Sequence, residues 1–329
     1  MPRFFSPRPT VRTRRLLTAR LGSLWQGSGM LVVFAIIFLT ASLGVPHFFS
    51  WVNMTGLMLS VATIGTIACT MLFCLASGDF DLSVGSVVAM SGVLAAVVVN
   101  FTGSVGLGIA AGILAGGLVG LVNGLAIAAV GINALITTLA TMQIVRGMSY
   151  IISDGKAVGV REPAFFSLGI SSFLGLPTPV WIMIGCFVIF GLLLNQTTFG
   201  RNTLAIGGNR EAARLAGVAV RGTKIAIFTL QGLVAGFAGV ILASRMTSGQ
   251  PATAQGLELQ VISACVLGGV SLTGGVGTIT GVIVGVLIMG TIQNAMNLLN
   301  IPPFYQYVAS GVILLAAVMV DRLRQRTIA

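Results

Sequence analysis

Three stripes of uncharged polar side chains stand out in a chain of 329 residues that is otherwise 56% hydrophobic. Ser60, Thr63, Thr66 and Thr70 recur at intervals of three and four. So do Asn133, Thr137 and Thr141, with Thr138 and Gln143 beside them, and Gln293, Asn297 and Asn300 form a third set. On a helix such spacing gathers each set on one face. Hydroxyls and amides without charge suit a neutral polyhydroxylated solute, whose hydrogen bonds to water they can replace. A second reading stands beside this one for every stripe, because Ser and Thr within membrane helices also bond their own backbone or a neighbouring helix.

Asp79 and Asp81, in ASGDFDLSVG, interrupt what would otherwise be continuous apolar sequence from 55 to 100. A carboxylate at the bilayer centre costs about 2.5–3.5 kcal/mol on insertion scales, so the pair must sit at an interface, face water or be partnered. Either they lie in a broken helix beside a polar path, or they close a turn and cap the next helix. Ser77, Gly78 and Ser83 are turn and cap chemistry and favour the second. No Ser/His, metal-ligand or paired-acid constellation accompanies them, so neither catalysis nor a metal site is expected. Cys69, Cys74, Cys186 and Cys265 form no CxxC or Cys/His cluster, and the single histidine, His47, follows Pro46 at the end of an apolar run. Gly155-Lys156 is followed by Ala157 and lacks the upstream glycine of a phosphate loop.

The elements that must position these residues are membrane helices. Charged residues make up 8% of the chain, against about 25% in soluble domains. With about 20 apolar residues needed per span, helices are expected near 29–46, 55–77, 83–100, 105–130, 133–152, 179–197, 223–244, 259–272, 277–299 and 304–320. The result is an all-α integral membrane protein with about ten transmembrane helices. A basic cytoplasmic tail over 1–28, a transmembrane region over 29–320 and a cytoplasmic tail over 321–329 complete the division. Of 18 Lys and Arg, six lie in the N-terminal tail, five between 198 and 224 and three at the C-terminus. Placing both termini and the loop 198–222 inside follows the positive-inside rule. Nucleic acid is thereby excluded as the reason for the net charge of +11. The fourth span carries Gly108, Gly112, Gly116, Gly120 and Gly124, a glycine at every fourth position. That spacing cuts a groove into which another helix packs at backbone distance.

The stretch from Phe199 to Lys224, FGRNTLAIGGNREAARLAGVAVRGTK, is the most polar interior segment. Asn209 can cap a short helix, Glu211 sits in its first turn where negative charge suits the helix dipole, and Gly217 can end it. The helix then shows Ala212, Leu215 and Ala216 on one side, with Arg210 and Arg214 on the other. Basic loops need no partner, yet a capped and terminated half-apolar helix within one suggests docking. Only seven acids exist and none falls clearly at mid-span, so uphill transport by this chain alone lacks an engine. A separate energy-supplying subunit docked at 199–224 fills that gap. The alternative is a self-contained facilitator or ion-coupled carrier.

GRNTLAIGGNREAARLAGV closely resembles the cytoplasmic coupling loop of the sugar permease subunits of ABC importers of the ribose/arabinose/galactose type. SGDFDLSVGS resembles their second signature, with Phe80 where Ile is usual. The likeness covers residues 25 to 325, and Leu257 departs from the aromatic usual before Glu258. The resemblance implies an ABC importer permease fold and a translocation path for L-arabinose or a related pentose. It further implies a homodimer, a cytoplasmic ATPase subunit with two nucleotide-binding halves that uses ATP and Mg, and a periplasmic sugar-binding protein. No cofactor is expected on this chain. On that pattern Arg201, Asn209, Glu211, Ala212, Arg214, Leu215 and Gly217 seat in the ATPase. Thr63, Thr66, Thr70, Asp79, Asp81, Asn133, Thr137, Thr141, Gln293 and Asn297 are the candidates for the path.

Overall fold

The computed structural model describes residues 29–328; the tail expected over 1–28 lies outside the described residues, as does Ala329. The helices are α1 (Gly29–Gly44), α2 (Trp51–Ala76), α3 (Val84–Thr102), α4 (Val105–Leu125), α5 (Ala134–Ile152), α6 (Ser167–Ile170) and α7 (Thr178–Gln196). They continue with α8 (Thr198–Gly208), α9 (Arg210–Leu215), α10 (Val220–Arg245), α11 (Leu257–Leu267), α12 (Ile279–Leu298) and α13 (Pro303–Ile328). Two small antiparallel pairs join β1 (Val158–Gly159) to β4 (Ser248–Gly249) and β2 (Ser172–Phe173) to β3 (Leu176–Pro177).

Helix starts follow local capping chemistry. Ser50, Ser104, Asn133, Thr197, Asn209 and Thr278 each accept a hydrogen bond from a free N–H in the first turn that follows. Beyond Leu125 the fourth span widens into a π-turn over Ala126–Val130. Gly131, at φ +90°, then stops it.

Seven described helices, α2, α3, α4, α5, α7, α10 and α12, are long and apolar enough to cross a membrane. α1, α11 and the apolar part of α13, Pro303–Met319, are shorter. The eleven residues of α11 rise about 16 Å at 1.5 Å each, half of a hydrocarbon core of about 30 Å. The full span expected over 259–272 is therefore a half-length helix. Gly268 and Gly269, the latter at φ +85°, end it while the sequence is still apolar.

The glycine groove of α4 is the most intimate contact in the bundle. A Cβ on Gly116 would collide with the Gly232 carbonyl and lie 2.8 Å from Gly236 Cα, while one on Gly120 would strike the Phe228 carbonyl. A Cβ on Gly124 would lie 2.9 Å from Ile225 Cα. Gly232 and Gly236 present the complementary groove of α10. The first two glycines serve a different neighbour as well, since Gly108 packs on Val99 and Ala95 of α3 and Gly112 reaches Ser91. One stripe thus locks α4 against both α3 and α10, where dispersion rather than hydrophobic transfer supplies the attraction in lipid.

The segment 247–258, with its Gly, Pro and Thr, turns back into the bundle. Gly249 lies against the backbone of Gly92 and Val93 at the middle of α3. Glu258 packs beside Gly85. Arg146 reaches from α5 and donates to the carbonyls of Pro251 at 2.7 Å and Thr253 at 2.8 Å. Those bonds satisfy backbone acceptors that have no helix or ladder to use them.

Candidate functional site

At one end of the bundle the polar stretch folds into two helices. The structure adds α8 and starts α10 at Val220, so Arg221 is a helical residue rather than part of the loop expected over 198–222. The cap is as expected: Asn209 Oδ1 accepts from the Ala212 N–H at 2.9 Å. Gly217 follows the end of α9 at φ +85°, a conformation available to glycine at little cost. Glu211 and Arg214 pair across one turn at 3.0 Å, both well exposed.

α9 turns Ala213 inward onto Ile206 and Val220. Ala212, Ala216, Arg201 and Arg210 lie outside, and Leu215 is 83% exposed. The side of α9 that sequence reasoning assigned to a partner is thus the side its own chain leaves free. Beneath it α8 is fixed to the spans. Gly207 rests on the Ala76 carbonyl at the end of α2, and the Gly275 N–H donates to that same carbonyl at 2.9 Å.

Both acids of the interrupted stretch lie here, in the connection between α2 and α3, Asp81 buried and Asp79 largely so. Asp79 pairs with Lys224 Nζ at 2.6 Å, with the two side chains 12% and 7% exposed. This ion pair ties the end of α2 to the start of α10, just under α8. Asp81 accepts from the Ser83 N–H at 2.9 Å and from its hydroxyl at 2.6 Å. It closes the turn into α3, as the cap chemistry suggested, although Ser83, at the helix boundary, makes no side-chain cap. Burial pushes the Asp81 carboxyl above its ordinary value, and the Ser83 bonds pull against that shift.

The turn is the first link of a buried polar chain. Ser83 Oγ accepts from Asn123 Nδ2 at 3.0 Å, and Asn123 Oδ1 accepts from Thr141 at 2.7 Å. Asn123 is fully buried. Four residues thereby connect the 77–83 turn, α4 and α5. Asn123 carried no sequence signal beyond its place in the glycine run.

Within one copy of the chain the three polar stripes do not converge. Thr66 and Thr70 bond carbonyls of their own helix. Thr63 and Thr66 line a small depression with Ala62, Pro179, Ala238 and Ile241. Asn133 caps α5, and Thr137 donates to the Asn133 carbonyl at 3.0 Å. Asn297 accepts from Gln306 at 2.7 Å, while Gln293 is half-buried on α12. α5 packs chiefly on α3 and leaves Asn133, Gln143, Ile136 and Ile144 exposed on its other side. Among the described residues no group of three or more His, Cys, Asp or Glu is placed to hold a metal, and all four cysteines are buried and free.

Membrane-crossing helices locked by a glycine seam, with uncharged polar faces and one exposed capped helix at an end, define a multi-pass membrane protein of the transport-permease class. The family model described as "Branched-chain amino acid transport system / permease component" matches residues 53–318, and the chain belongs to that family. It is 64% identical over 305 residues to the L-arabinose transport system permease protein AraH of Escherichia coli (strain K12), covering 93% of each chain. It is 59% identical over 307 residues to the L-arabinose ABC transporter permease protein AraH of Azospirillum brasilense, covering 92% of this chain and 91% of that one. The ribose import permease protein RbsC of Bacillus subtilis (strain 168) is 40% identical over 289 residues, which cover 87% of this chain and 90% of the relative. No solved structure matches the chain significantly.

Proposed function

We propose that this chain is the membrane-spanning permease subunit of an ATP-driven (ABC) monosaccharide importer and forms the translocation path for L-arabinose or a related pentose. Relatives named for L-arabinose and ribose transport, aligned over nearly the whole chain, support the substrate class. The protein is a multi-pass inner-membrane subunit and not itself an enzyme. A separate cytoplasmic ATPase with two nucleotide-binding halves uses ATP and Mg, and a periplasmic sugar-binding protein delivers the sugar.

The observation that carries the energy-coupling part is α9. Its inner side is fixed on α8 and α10, its Leu215 side is uncovered, and α8 in turn rests on α2 through Gly207. Closure of an ATPase gripping Arg201, Glu211, Ala212, Arg214 and Leu215 would move α2 and α10 together through the Asp79–Lys224 pair. A second copy of the chain completes the path, with the thinly covered α5 and its Asn133, Thr137 and Gln143 on the open side. Proteoliposomes holding the permease with or without the ATPase test the reading. Sugar uptake that requires ATPase and ATP is expected, and equal flux from the permease alone would identify a self-contained carrier instead.

A further inference from the structure

At the end of the bundle opposite α8 and α9, the β2–β3 hairpin carries a feature that the transport role does not use. Its register pairs Ser172 with Pro177 and Phe173 with Leu176, leaving the two-residue loop Leu174-Gly175. Both loop residues have positive φ, +51° for Leu174 and +78° for Gly175. Such a turn matches the strand twist and favours Asn or Asp before Gly, since a leucine in left-handed conformation is strained. The leucine is nonetheless 76% exposed at the tip, next to exposed Phe173 and Ile170.

Two tryptophans converge on this tip. Trp181, in the first turn of α7, donates its indole N–H to the Phe173 carbonyl at 2.9 Å and packs edge-on against the Phe173 ring at 6.0 Å. Trp51, which begins α2, stands 3.5 Å from where a Cβ on Gly175 would lie. Below them Trp181, Ile184, Val188 and Leu192 form one exposed apolar stripe along α7, so the hairpin continues a membrane-facing surface. No charged residue occurs between Glu162 and Arg201. A surface for a soluble protein carries a polar or charged rim, whereas tryptophans with one wet and one apolar edge gather at the headgroup level of a bilayer.

We propose that the 172–177 hairpin is a lipid anchor: its Phe173-Leu174 tip inserts into the headgroup–acyl boundary of the bilayer and, with Trp51 and Trp181, fixes the depth of α2 and α7. The apolar tip then meets hydrocarbon rather than water.

The test uses Leu174→Cys and, as a reference in the exposed turn after α5, Lys156→Cys, each carrying a nitroxide in the whole reconstituted transporter. The vesicles are phosphatidylethanolamine and phosphatidylglycerol, and the four native cysteines, being buried, are shielded from the label. The ratio of oxygen to nickel-chelate collision is expected to be several-fold higher at 174 than at 156. Equal nickel access at the two sites would place the tip in water and overturn the proposal. Exclusion of both quenchers, or immobilisation only on adding the sugar-loaded binding protein, would show a protein cover and overturn it equally. If the Leu174→Cys hairpin does not hold, Phe173→Cys is read by the same criteria.

Discussion

Removing one partner of the Asp79–Lys224 pair isolates the link between the α8–α9 end and the spans. At 2.6 Å and with both side chains nearly buried, the pair sits where a lone charge is poorly solvated. Lys224→Ala strands the Asp79 carboxylate, and breaking a buried pair in this way costs about 3–5 kcal/mol. Asp79→Ala is milder, because a lysine near a helix end can snorkel toward water. Removing both partners leaves no uncompensated charge, so Asp79→Ala/Lys224→Ala should be more stable than Lys224→Ala alone. Denaturant titration of the purified protein in detergent gives all four corners of the cycle, and ATP-driven uptake in proteoliposomes reports the functional link. Single losses of about 1 kcal/mol or less, as for exposed ion pairs, or strictly additive losses, would refute the argument that this pair is a buried structural tie.

Gly120→Val forces α4 and α10 apart against the Phe228 carbonyl and should cost about 1–3 kcal/mol or more by overpacking. Gly185→Ala on α7, which meets nothing within 4 Å, should leave the denaturation midpoint unchanged. Asn123→Ala removes the acceptor of Thr141 and the donor to Ser83 at once and should destabilise by about 1–3 kcal/mol for each group left unsatisfied, read from the same titration. The Asp81 carboxyl titrates above its ordinary value in the folded protein, so the folded state binds its proton more tightly than the unfolded chain does. Its contribution to stability is fully present below the unfolded value of about 3.9 and is lost as pH rises through the folded value. Asp81→Asn keeps an acceptor for Ser83 and should flatten that part of the pH profile; an unchanged slope would show that Asp81 is not its source.

Features written in one local stretch were legible from sequence. The α4 glycines repeat every fourth residue, and their partners proved to be the backbone carbonyls of α10 and α3. Asn209, Glu211 and Gly217 signalled a short helix including Ala216, because caps act within one turn, and the structure ends it one residue earlier, at Leu215. Features that depend on distant residues were not legible. Nothing local marks Lys224 as the partner of Asp79, and a lysine beside other basic residues reads as part of the inside positive charge. The polar chain through Asn123 and the grip of Arg146 on Pro251 and Thr253 likewise join separate helices. Hydropathy also failed to find the end of α11, since apolar residues continue past Leu267 and only the turn at Gly268-Gly269 stops the helix. α8 was missed because its apolar residues are few, and its burial comes from lying against α2, α7, α9 and α10. Nothing in the Gly, Pro and Thr of the 247–258 segment marks its approach to α3, which the absent side chain of Gly249 permits.

The central claim, that a separate ATPase drives the spans through α9, is tested most directly by photo-crosslinking from position 215. A photoreactive residue replacing Leu215, in a permease co-assembled with its ATPase and active in sugar uptake, should yield a crosslinked permease–ATPase product. A fully active transporter with no such product, and with residue 215 equally accessible to water-borne reagents throughout turnover, would contradict the account.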